Sequence, residues 1–101
     1  KPYYNAGGGK DHWRIGSAMF IQQGASWGNR VVGATDDLHN ALKINPSTLQ
    51  LDNSSAGLVL EPKHLQQAIR ELASVDESTA ALQFPLNAEN IDFFNPAKQT
   101  I

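Results

Sequence analysis

Only one stretch of this 101-residue chain carries a helical period. Leu65, Ala68, Ile69 and Leu72 fall on one stripe, at the three- and four-residue spacing of a helix face. Pro62 suits the first helical position, where its missing N–H would have no partner anyway. The spacing therefore predicts a helix from Pro62 to about Ser74, with Arg70 and Glu71 off the stripe and His64 partly exposed near its first turn. All other apolar residues come in short runs broken by Gly, Pro or Asn. Such a chain folds from one helix and a set of short extended pieces.

Two of those pieces stand out. Ser17–Ile21 (SAMFI) and Arg30–Ala34 (RVVGA) are short and apolar, and the second is rich in β-branched residues, which favours strand. Gly24, Gly28 and Asn29 supply turn chemistry between them, so a β-hairpin is the simplest expectation, with Trp27 as a lid on the local core. Leu42 and Ile44, Leu49 and Leu51, and Leu58 and Leu60 alternate with a period of two around Pro46 and the Asp52–Ser55 loop, and read as short edge strands. In the tail Leu82, Phe84 and Leu86 also alternate. Pro85 cannot donate to a ladder, which confines any strand there to an edge. Phe84, Phe93 and Phe94 in so irregular a segment need a larger body to pack against.

Charge narrows the function classes. Eight Lys and Arg against ten Asp and Glu leave a net charge of −2, with no clustered cations to grip a nucleic acid. No apolar run is long enough to cross a membrane. The absence of cysteine removes disulfides, thiolate metal sites and cysteine nucleophiles. The sequence opens at Lys1-Pro2 without an initiator Met or signal peptide, and reads as a piece of something longer.

The site-like segment is Gly7–Ser17, GGGKDHWRIGS. Glycines let a backbone bend and approach a ligand closely, and Asp11 and His12 are of metal-ligating type. An Asx-type turn with His12 packed beside Trp13 is the competing reading. Two ligands do not make a hydrolytic centre, which takes three protein ligands and an open position; Asp36, Asp37 and His39 are the nearest residues to complete one. Asp36 and Asp37 equally suit a cap on the following turn. A Ser–His–Asp arrangement with Ser17 or Thr35 lacks a nucleophile elbow. Gly7-Gly8-Gly9-Lys10 lacks the spacing of a phosphate loop.

Three ordered blocks carry a resemblance: Gly9-Lys10-Asp11-His12-Trp13, Gly16-Ser17-Ala18-Met19-Phe20, and Arg30-Val31-Val32-Gly33-Ala34-Thr35-Asp36. With Leu60-Glu61-Pro62-Lys63-His64-Leu65, Ala68-Ile69-Arg70 and Phe84-Pro85-Leu86, they resemble the C-terminal part of the DUF1501 proteins. These are sulfatase-like proteins related to the alkaline phosphatase superfamily. The resemblance implies an α/β fold: a C-terminal fragment of an alkaline phosphatase-like α/β/α sandwich. Short strands would lie around residues 17–22 and 30–35 and a helix around 62–74, all within one larger domain and without an internal boundary. It implies that Asp11 and His12 each give one ligand to a divalent metal centre (zinc, manganese or calcium). Trp13, Asp36 and His39 are the candidates to stand near substrate or behind the ligands, His39 by its place in the chain and not through a role in the family. Trp13 replaces the glycine that many members carry after the Asp-His pair. The nucleophile would lie in the N-terminal part of the same protein, the chain's expected partner, and the intact protein would be periplasmic or exported. The expected function is a share in phosphate- or sulfate-ester hydrolysis, with this chain inactive alone. The alternatives are a binding or structural domain of that fold with a degenerate metal site, and a free-standing domain with the helix packed on short strands.

Overall fold

The computed structural model describes residues 3–10 and 12–96. Two helices form among them, α1 (Pro62–Leu72) and α2 (Thr79–Gln83). Helix α1 starts where the sequence places it, with Pro62 at the first helical position and Glu61 extended before it. It ends two residues earlier than expected. Ala73 is the last helical cap and Ser74 turns to φ 58°, a left-handed conformation that cannot continue a helix. Helix α2 replaces the edge strand expected from Leu82, Phe84 and Leu86. The Ser78 hydroxyl accepts from the Ala81 N–H at 3.2 Å, and this N-cap outweighs the alternation of the side chains.

Extended segments meet at single bridges rather than in ladders among the described residues: Tyr4 with Lys10, Thr35 with Ala41, and Ile44 with both Leu51 and Leu58. The strands expected around 17–22 and 30–35 do not pair, and the hairpin between them does not form. The reason lies in the tail. Arg30 donates from Nη1 to the Phe93 and Asn95 carbonyls, at 3.4 and 2.7 Å. Phe20 and Trp27 both set their rings edge-on to Phe94, with centroids 5.6 and 4.8 Å away. Each run is drawn to residues 93–95 instead of to the other. Trp27 is thus a lid, as its place in the sequence suggests, and Phe94 is what it covers.

The core gathers around Ile44, whose N–H and C=O exchange 2.8 Å bonds with Leu58. Leu49, Ala68, Ile91 and Phe93 are buried with it, and Val32, Leu58, Leu60, Leu65 and Phe94 pack around them. The tail therefore supplies two of five core residues, while Phe84 stays 70% exposed. Only half the predicted helical stripe is used, since Leu65 and Ala68 face the core whereas Ile69 and Leu72 are exposed. The missing share of the inner face belongs to His64, which is buried rather than partly exposed. Its burial is tolerated because both ring nitrogens are satisfied: Nδ1 accepts from the Glu61 N–H at 2.9 Å and Nε2 donates to Glu89. With few ladders and a small core, the chain is open, with a radius of gyration of 15.9 Å against about 13 Å for an ordinary domain of 100 residues.

Candidate functional site

The glycine-rich segment forms a closed loop. Asn5 organises it, since its N–H donates to the Gly9 carbonyl at 2.7 Å. Its side-chain oxygen accepts from the N–H groups of Gly7 and Gly9 at 3.0 and 3.1 Å. Gly8 sits at φ 84°, a conformation glycine adopts without cost. This loop returns the chain so that Lys10 bridges Tyr4, with its ammonium 5.0 Å from the Tyr4 ring centre. Asp11, the first residue of the Asp-His pair, lies outside the described residues.

His12 is exposed, and no described residue bonds to its ring. Its neighbour Trp13 is anchored. The indole N–H donates to the His39 carbonyl at 2.8 Å, and the ring meets Tyr3 edge-on at 5.1 Å. Tyr3 in turn lies 6.3 Å from the His39 ring and donates its hydroxyl to the Leu38 carbonyl at 3.3 Å. Arg14 reaches the Asn40 side chain at 3.4 Å. The 36–40 turn is thereby held against the 3–14 segment.

That turn is built by Asp36. Its Oδ1 accepts from the N–H groups of Leu38 and Asn40, both at 2.9 Å, and its N–H donates to the Asn40 carbonyl. These bonds, the Asn40 N–H above all, hold the Asp36 carboxyl below its ordinary value, with the nearby His39 acting in the same direction. His39 itself occupies φ 63°, which seats its carbonyl under the indole of Trp13.

Of the expected site residues, Trp13, Asp36 and His39 thus come together in one surface cluster, which Tyr3, Arg14 and Asn40 complete. The capping reading of Asp36 is the one its bonds match. Nothing in the sequence pointed to the Trp13–His39 contact, because the two lie 26 residues apart and share no motif. Among the described residues no group of three His, Asp or Glu side chains is placed to hold a metal ion, and no helix is long and apolar enough to cross a membrane. No protein-family model, curated protein or solved structure matches this chain.

Proposed function

We propose that this chain is one part of a metal-dependent hydrolase-like α/β protein of the DUF1501 type, acting on phosphate or sulfate esters and inactive alone. The observation that carries this reading is His12. Its imidazole is exposed and unbonded among the described residues, at the foot of a loop fixed by Asn5 and beside the anchored Trp13. An exposed ring that no described residue engages fits a metal ligand whose companions come from elsewhere. Asp36 fits that role poorly, since one of its oxygens already serves two backbone N–H groups. The partner is then the N-terminal part of the same protein, which would bring the remaining ligands and the nucleophile. A divalent ion held there by Asp11 and His12 would polarise an ester oxygen.

The alternative, a binding or structural domain of the same fold, is favoured by one observation. The Tyr3–Trp13–His39 cluster closes on itself through side-chain and carbonyl bonds. Metal content decides between the two. In the full-length protein, elemental analysis is expected to find stoichiometric zinc, manganese or calcium, lost on Asp11→Ala/His12→Ala. A metal-free protein that folds equally well with both residues replaced would overturn the hydrolase reading and leave the second.

A further inference from the structure

Residues 16–24 are all exposed, with Met19 at 84%, Phe20 at 37% and Ile21 at 88%. Residues 15–22 run without a turn or bend, and from Ile15 to Ile21 the backbone makes no hydrogen bond among the described residues. This bare run is a connector. Before it, the 3–14 segment is held to the 36–40 turn by surface bonds from Tyr3 to the Leu38 carbonyl, Trp13 to the His39 carbonyl and Arg14 to the Asn40 side chain. After it lies the core, whose buried residues and the partly buried ones packed on them all fall between Val32 and Phe94. The segment that carries Asp11 and His12 is therefore joined to the body through a stretch that contributes no residue to that core.

An endopeptidase grips its substrate in extended form through backbone N–H and C=O groups, as a sheet edge grips an added strand. A folded backbone must first give up its own bonds, and here none has to break. The sequence selects the class of enzyme. No charged residue or proline occurs from Ile15 to Asn29, and Met19-Phe20-Ile21 offers apolar side chains to a primary pocket. Competing aromatic positions are protected. Tyr4 is tied by its bridge to Lys10 and the Asn5–Gly9 bond, Trp27 lies in a turn, and Phe93 is buried. Phe84 is 70% exposed, but Pro85 follows it, and the proline ring hinders attack on that bond. We propose that the two bonds flanking Phe20 are an endoproteolytic processing site for an enzyme with an apolar primary pocket, and that the cut releases the Asp11–His12 segment from the body. Hydrolysis consumes one water and breaks one C–N bond, leaving a carboxylate on Met19 or Phe20 and an amine on the next residue. The core stays whole. The bonds to residues 38–40 lose the effective concentration that a continuous chain gave them, and the segment departs. This holds whether or not His12 binds a metal.

Trace chymotrypsin added to the native 101-residue chain, with the products read by intact mass, is the test. The expected first products are a piece ending at Met19 or Phe20 and its complement. Gel filtration should separate the two, and the complement should keep the helical circular dichroism of α1. Phe20→Pro takes away both bonds as substrates, at no cost in backbone hydrogen bonds among the described residues, and should abolish this first cut. A first cut at any other bond, or a Phe20→Pro chain cut in the same place as fast as the parent, would overturn the proposal. A short piece that stays with its complement through gel filtration, or a complement that loses its helical signal, would overturn it as well.

Discussion

Gly57 occupies the tightest point of the fold, and replacing it with alanine gives a prediction whose size can be worked out. A Cβ on Gly57 would lie 1.8 Å from the Asp52 carbonyl oxygen, 2.9 Å from its carbon and 3.0 Å from the Lys43 Cβ. Two of those three atoms are backbone, so no side-chain rotation relieves the overlap. The gap to Asp52 must open from 1.8 Å to at least 3.0 Å, and what moves is the chain around the core. Gly57 donates to the Ser54 carbonyl, Asp52 to that of Lys43, and the next residue, Leu58, exchanges two bonds with the fully buried Ile44. Losing that pair costs about 1 kcal/mol per bond. Overpacking beside a filled core costs about 1–3 kcal/mol. We expect Gly57→Ala to destabilise the chain by about 3 kcal/mol, a large share of the ~5–15 kcal/mol typical of a domain. Urea unfolding followed by tryptophan fluorescence measures this. With a slope of about 1–1.5 kcal/mol per molar, the midpoint falls by about 2–3 M. Gly16→Ala is the control. Nothing lies within 4 Å of its added Cβ and its φ is not positive, so it should be neutral, or stabilising by up to about 1 kcal/mol through a less disordered unfolded state. A Gly57→Ala midpoint within error of the parent would refute the reasoning.

The Asp52 carboxyl is held below its ordinary 3.8 by the Ser54 hydroxyl first, then the Ser54 N–H and the Asn45 amide. Its folded pKa is depressed, so the stability it lends is complete above the unfolded pKa and fades as pH falls through the folded one. Asp52→Asn should therefore flatten the acid limb of stability below about pH 4 and leave the slope at neutral pH unchanged. An acid limb as steep as the parent's would argue against it. His64→Ala removes the acceptor of the Glu61 N–H and the donor to Glu89, and leaves a hole beside Ala68. The expected loss is about 2–3 kcal/mol, two hydrogen bonds plus packing, and circular dichroism should show the first turn of α1 frayed. A loss under about 0.5 kcal/mol, the size of an ordinary surface change, would show that the pair does not hold α1.

What the sequence made legible follows the range of the forces involved. Helix α1 rests on local signals, Pro62 at its start and a stripe within eleven residues, and it formed within two residues of its expected end. The Ser78 cap of α2 was equally local, but the alternation of Leu82, Phe84 and Leu86 competed with it, and a period of two over so few residues is ambiguous. For Ser17–Gln22 the extended course was legible and the pairing was not. A period fixes which side chains share a face, whereas the partner depends on where Phe94 and the Arg30 carbonyl contacts fall, over 60 residues away. The same limit governs the site. Asp36 as a turn-builder was readable from three residues, and the Trp13–His39 bond, 26 residues apart, was not.

Long-range order here is carried by donors that reach rather than by ladders. Arg30 serves the carbonyls of Phe93 and Asn95, and Arg70 serves those of Ala81 and Phe84, the latter at 2.9 Å. Neither guanidinium forms a salt bridge with a carboxylate among the described residues. A guanidinium has five N–H donors in a planar fork and can address two carbonyls of an irregular segment at once, which a compact ammonium does less well. Trp13 does the same on a smaller scale at the 36–40 turn, and His64 ties the start of α1 to Glu89. Each device joins one segment to another distant in sequence. That is how the described residues, with two helices and four isolated bridges, enclose Ile44, Leu49 and Ile91 completely while the Ser17–Ile21 backbone makes no hydrogen bond among them. The core is closed by side chains from the tail, and the backbone edge is left open because those same contacts hold it away from its nearest apolar neighbour in sequence.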